Sequence, residues 1–188
     1  MGTFAATVCG LKDGGKCVVR HAVAGDAARV LVCAREAFAT SVHTLTKLDE
    51  FVMTEDAERE FLAGVAAHPR QLFLVAEAGD GAGGEMIGLL SLKQNTTRRK
   101  LRHSVEMGMS IHSAHRGRGV GHAMLREAIA WAEGVEGLEQ MTLAVYADNA
   151  AGLALYRRCG FVEYGRLPGG LIHDDGSAWE QVLMWRAI

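Results

Sequence analysis

An α/β fold, one mixed sheet with helices on both faces, is predicted by three features of the sequence. Residues 72–76 (LFLVA) form a near-continuous apolar run, as in a strand buried on both sides. Val120, Met124, Leu125, Ala128, Ile129 and Ala132 recur at three- and four-residue steps, which is helical spacing with one buried stripe. The elements run β-α-α-β-β-β-α-β-α-β-β, an order that is not a strict alternation and so implies a sheet mixing parallel and antiparallel neighbours.

In chain order, residues 1–15 are small and polar, end in Asp13-Gly14-Gly15, and are expected to be a flexible extension. That leaves 16–188 as one domain, a size that closes a full core. Residues 16–22 (KCVVRHA) are rich in β-branched side chains and read as a strand. Asp26 is a candidate N-cap for a helix to about Thr40, with Val30, Leu31, Ala34 and Phe38 on one face. Residues 41–53 are polar and mixed and receive no assignment. A second helix starts at Thr54, buries Phe61, Leu62 and Val65, and ends at His68-Pro69. Strands are expected at 72–76, 86–92, 105–111, 141–146, 161–165 and 178–185. The last two are joined by a loop containing Pro168-Gly169-Gly170 and Asp174-Asp175-Gly176. The basic stretch 93–102 reads as a solvated loop or as a lip that attracts an anionic ligand.

The 188 residues are 49% hydrophobic, which argues for a packed core, and a net charge of −2 gives no footprint for nucleic acid. No apolar run approaches the roughly 18 residues of a membrane span, and no signal-peptide plan is present. Four cysteines without paired spacing read as thiols of a reducing compartment, so a cytoplasmic location is expected. The sequon Asn95-Thr96-Thr97 is then a chance match.

Between the strand at 105–111 and its following helix lies a loop holding Arg116, Gly117, Arg118, Gly119, Val120 and Gly121. A helix start has backbone N–H groups without partners and carries partial positive charge. Glycines there admit φ > 0 and let a ligand approach closely, and the two arginines add donors suited to phosphate. An anion cradle is one reading; a tight turn with solvated arginines is the other. The dinucleotide pattern G-x-G-x-x-G fails, since its third glycine would be His122 or Met124. The near P-loop at Gly10–Cys17 has Cys17 in place of the metal-binding hydroxyl and continues as a strand.

The loop does match Arg-x-x-Gly-x-Gly as Arg116, Gly119 and Gly121. The later segment Asn149-Ala-Ala-Gly152-Leu-Ala-Leu155-Tyr156-Arg-Arg-Cys-Gly160-Phe161 matches Asn-x-x-Ala-x-x-Leu-Tyr-x-x-x-Gly-Phe, with Gly152 at the small position. With both motifs the chain resembles the GCN5-related N-acetyltransferase (GNAT) superfamily from about Gln71 onward. Independent of the resemblance, a helix capped by Asp148 or Asn149, with Arg157 and Arg158 in its last turn and Gly160 after it, is physically well formed.

The resemblance implies a central, mostly antiparallel sheet splayed where the cosubstrate acetyl-CoA binds. It implies backbone pairing of the pantetheine arm with Met109, Ser110 and Ile111, a diphosphate on the amides of Arg116 to Gly121 (including Gly117, Arg118 and Val120), and a bond from Asn149 to the arm. It further implies transfer of an acetyl group to a primary amine of a small molecule or of a peptide or protein N-terminus. Glu106 is its candidate base and Tyr156 its candidate acid. An alkylamine with a pKa of about 10.4 arrives protonated and needs a base, and a thiolate with a pKa of about 8.5 needs a proton on departure. No metal is called for: His112, His115 and His122 lack a zinc-ligand pattern. The family also leaves room for a homodimer. The alternative is a non-catalytic acyl-CoA binding or sensing module on the same fold.

Overall fold

A computed structural model describes residues 5–81, 83–94 and 98–188; the Asn95-Thr96-Thr97 sequon lies outside the described residues. Among the described residues, eight strands form one sheet in the order β1-β2-β3-β4-β5-β6-β8-β7. They are β1 (Thr7–Gly10), β2 (Lys16–His21), β3 (Leu72–Ala78), β4 (Met86–Lys93), β5 (Ser104–Ile111), β6 (Gln140–Tyr146), β7 (Val162–Ile172) and β8 (Ala178–Ala187). All neighbours are antiparallel except β5 and β6. The α-helices among the described residues are α1 (Ala27–Thr40), α2 (Glu55–Ala67), α3 (Val120–Glu133) and α4 (Ala150–Arg158).

The sheet separates two cores. On one face α1 and α2 bury Val30, Ala34, Leu62 and Val65 against Phe73, Val75 and Leu89. On the other, the α3 stripe expected from the sequence packs on Leu74, Leu90, Leu92, Met141 and Leu143. Each fully buried leucine or methionine contributes about 2 kcal/mol by leaving water, so these two layers fix where the helices sit. Thr54 caps α2 by accepting from the Ala57 N–H at 3.2 Å, and Glu55, Asp56 and Glu58 complement the dipole in its first turn.

Three elements differ from the sequence reading. Part of the expected flexible extension is strand β1: Cys9 is buried opposite Cys17, and Leu11 packs on the core. Asp26 stands at the N-cap position of α1, but its side chain caps nothing in that helix. It accepts instead from Arg20 at 2.7 and 2.8 Å and from the Val23 N–H at 2.8 Å. Arg20 also reaches Glu77, which is wholly buried, so the charge network outcompetes the cap. Finally, β7 runs past Gly165 to Ile172. Pro168-Gly169-Gly170 is absorbed as a bulge between Leu167 and Leu171, and the reversal comes at residues 173–177.

Candidate active site

Strands β5 and β6 pair over only three positions, Ser104↔Gln140, Val105↔Met141 and Glu106↔Thr142, and then part. On the other side β5 stays paired with β4 as far as Gly88↔Ile111. The bond from His112 N–H to the Ile87 carbonyl sets the phase of that ladder. Main-chain groups of Glu106, Gly108 and Ser110 therefore turn toward β4, while those of Met109 and Ile111 turn into the gap. The expected trio thus divides. Met109 and Ile111 present backbone to the opening, and Ser110 spends its backbone on β4.

A cavity of about 640 Å³ fills the gap on the α3 and α4 side. Of the residues expected to bind cosubstrate, 109–111, 116, 117 and 119–121 line it, together with Asn149 and Tyr156; Arg118 does not. Gly117 and Gly119 take φ of 75° and 102°, left-handed values that Gly119 uses to begin α3. Among the described residues, no N–H from 117 to 122 has a hydrogen-bond partner, whereas Ala123 N–H already bonds Gly119. A loop that presents successive unpartnered amides at a helix start fits a diphosphate, which needs donors and tolerates no Cβ close by.

Both arginines of the loop have partners within the chain. Arg116 donates to the Ile111 carbonyl at 3.0 Å and to the carbonyl and hydroxyl of Thr40 at 2.9 and 2.7 Å, bolting the loop to the end of α1. Arg118 pairs with Asp13 at 2.5 Å and donates to His115 Nδ1 at 2.7 Å. With both guanidinium groups engaged, the N–H groups of 117–122 are, among the described residues, the donors of this loop left without a partner. Nearby, Glu85 joins His112 and His115 within 4.8 Å, a grouping hidden from the sequence because Glu85 precedes β4. Both Nδ1 atoms accept hydrogen bonds, from Arg118 and from the Ala114 N–H. Nε2 of each ring faces a Glu85 carboxylate oxygen, at 3.7 Å from His112 and 3.3 Å from His115.

Asn149 caps α4 through Oδ1, which accepts from Gly152 N–H at 2.9 Å. A Cβ on Gly152 would stand 2.9 Å from Asn149 Nδ2, so a larger residue there requires the Asn149 amide to move. Asn149 then keeps Nδ2 for the cavity. Tyr156, one helix turn past Gly152, borders this cavity and a second one of about 300 Å³ on the α1–α2 face. Burial pushes its phenol up to about 12, so it holds its proton through the physiological range.

The smaller cavity is lined by Glu106, Lys93, Ser91, Tyr146 and Gln181. Glu106 is the last β5 residue paired with β6, so it stands where the strands part, and it faces Lys93 across the β4–β5 ladder. The two candidate catalytic side chains thus share one cavity. Residues 41–53 lie beside it without regular structure. They are tied down by His43 to Asp148 at 3.3 Å, by Tyr146 O–H to the Thr44 carbonyl at 3.3 Å, and by Lys47 to Asp174. Sequence reasoning missed His43 and Thr44 because nothing local marks a residue that becomes a lining only through tertiary contacts; Lys93 opens the basic stretch read as a solvated loop or an anion-attracting lip.

Residues 39–161 match the model of the acetyltransferase (GNAT) family. The chain belongs to that family. Among solved structures, a GNAT-family acetyltransferase from Streptococcus pneumoniae superposes with a TM-score of 0.85 at 26% identity, over 92% of this chain and 99% of that one. A GNAT phosphinothricin acetyltransferase from Sinorhizobium meliloti, in complex with AcCoA, shares the fold with a TM-score of 0.78 at 22% identity, over 92% and 88%. The L-methionine sulfoximine/L-methionine sulfone acetyltransferase of Pseudomonas paraeruginosa is 33% identical over 102 residues, which is 54% of this chain and 58% of the relative. The chain spans about half the length of the curated relatives it matches. Among the described residues, no helix of this GNAT chain is long and apolar enough to cross a membrane.

Proposed function

We propose that the chain is an N-acetyltransferase that moves an acetyl group from acetyl-CoA to the primary amine of a small, amino-acid-like acceptor. The observation that carries this reading is the junction of two cavities at Tyr156: one beside unpartnered amides and an open strand edge, the other beside Glu106. Acetyl-CoA supplies an activated thioester when bound. The amides of 117–122 would hold its diphosphate, Met109 and Ile111 its pantetheine amides in the manner of an added strand, and Asn149 Nδ2 the same arm. Ile111 N–H is the candidate donor to a developing oxyanion.

Glu106 takes a proton from the acceptor ammonium, directly or through water, and Tyr156 offers its phenolic proton to the departing sulfur. The roughly 300 Å³ of the acceptor cavity and the pinned segment 41–53 favour a small molecule over a protein N-terminus. Lys93, which lines this cavity with its ammonium 4.6 Å from the Phe61 ring centroid, is the candidate cation for an acceptor carboxylate, in keeping with a relative named for L-methionine sulfoximine and L-methionine sulfone. The reading calls for no metal and a cytoplasmic setting, the latter supported by four free thiols. It also includes a homodimer as the family allows.

The test is a panel of amines and amino acids with acetyl-CoA, followed by release of free thiol. Turnover with an α-amino acid supports the reading. Tight coenzyme binding with no acceptor turned over would instead favour a sensing module.

A further inference from the structure

Resting on the acyl-CoA reading, we propose that the hairpin of β1 and β2, with α3 and α4, forms a dedicated pocket for the 3′-phosphate of the coenzyme's ADP half. The pocket, about 130 Å³, is lined by Lys12, His122, Arg126 and Arg158 around Gly119 and Cys9. Lys12, Gly119, His122 and Arg158 also line the cosubstrate cavity, so the two spaces are continuous. A second anion site therefore adjoins the diphosphate cradle.

The charge there is unbalanced. Among the described residues, neither the Lys12 ammonium nor the Arg158 guanidinium has an ion-pair or hydrogen-bond partner. Arg126 is paired only with Glu127, at 3.0 Å, and with the Cys9 sulfur. The His122 imidazole is held below its ordinary value by burial first and then by Arg158, Arg126 and Lys12, of which only Arg126 is paired with an acid. A phosphate monoester, carrying about −1.5 to −2 at neutral pH, supplies the missing charge.

The hairpin is built to present Lys12. Lys12 N–H donates to the Arg118 carbonyl at 2.9 Å, and Asp13 pairs with Arg118, so the turn is docked on the cradle loop. Lys12 Cγ lies 3.4 Å from where a Cβ on Gly119 would stand. The hairpin lies outside residues 39–161, the stretch that matches the family model, while His122, Arg126 and Arg158 lie inside it.

The test compares the Kd of coenzyme A with that of 3′-dephospho-coenzyme A by calorimetry, for the natural chain and for Lys12→Gln with Arg158→Gln. The natural chain is expected to prefer coenzyme A by tenfold or more, with the preference shrinking as salt rises. The double variant is expected to bind both alike, at the affinity the natural chain shows for the dephospho form. Equal binding of both ligands by the natural chain overturns the pocket alone, and needs no variant to be read. A preference retained by the folded double variant also overturns it. If neither ligand binds, the acyl-CoA reading fails and the pocket with it.

Discussion

Replacing Tyr156 by Phe removes one oxygen and leaves the packing against Phe161, whose ring centroid is 6.0 Å away. The phenol is pushed up to about 12 by burial, and a departing thiolate has a pKa of about 8.5. At about 1.4 kcal/mol per pKa unit, moving the proton fully from one to the other climbs about 5 kcal/mol. A hydrogen bond donated to the charged sulfur needs no such climb and is worth about 1.5–3 kcal/mol. Tyr156→Phe should therefore lower kcat by about 10- to 150-fold, with the Kd for coenzyme A nearly unchanged. Steady-state thiol release and calorimetry give the two numbers. Because burial holds the phenol protonated, no alkaline fall in kcat below about pH 10 should be assignable to it. A variant within twofold of the natural kcat would remove Tyr156 from the chemistry. A loss beyond about a thousandfold would mean full proton transfer, against the energetics just given.

Three further outcomes are expected. Gly119→Asp should weaken coenzyme A binding by about a hundredfold or more in calorimetry, since a carboxylate about 4 Å from a phosphate charge costs about 4 kcal/mol at an effective dielectric of about 20; unchanged affinity would move the phosphate site elsewhere. Gly152→Ala should fail to give the gain of about 1 kcal/mol usual for a helix, because the new Cβ would displace the Asn149 cap, and a clearly raised Tm would contradict that geometry. Glu77→Gln should cost about 3 kcal/mol in urea unfolding by removing the buried carboxylate that Arg20 and Arg29 share, leaving Arg20 with Asp26 alone. In the natural chain the hydrogen bonds from Arg20 hold the Glu77 and Asp26 carboxyls below their ordinary values. Their contribution is thus complete above about pH 5 and lost as pH falls through the carboxylate range; the variant should show a shallower acid slope, and an equal slope would contradict the network.

Those parts of the fold governed by local periodicity were legible in the sequence. The apolar run of β3 and the stripe of α3 from Val120 to Ala132 need only burial on known faces, and the two motifs located both ends of the large cavity. What was hidden depends on contacts distant in the chain. Four residues of β1 with a terminal glycine carry no strand signal, and they become one only because β2 offers an edge and Leu11 a core contact. The arginines of the loop announced cations, but Arg116 is spent on Thr40, 76 positions away, and Arg118 on Asp13. Ser110 looked equivalent to Met109 and Ile111 until the β4 register assigned its backbone inward. His43 and Thr44 enter the smaller cavity through tertiary packing alone.

The central claim is that main-chain amides, rather than the neighbouring guanidinium groups, hold the diphosphate of the acyl carrier. A crystal structure of the protein grown with coenzyme A tests it most directly. The account predicts diphosphate oxygens on N–H groups between residues 117 and 122, with Arg116 still bonded to Thr40 and Ile111. Coenzyme A seated on another surface, with those N–H groups facing water, would contradict it.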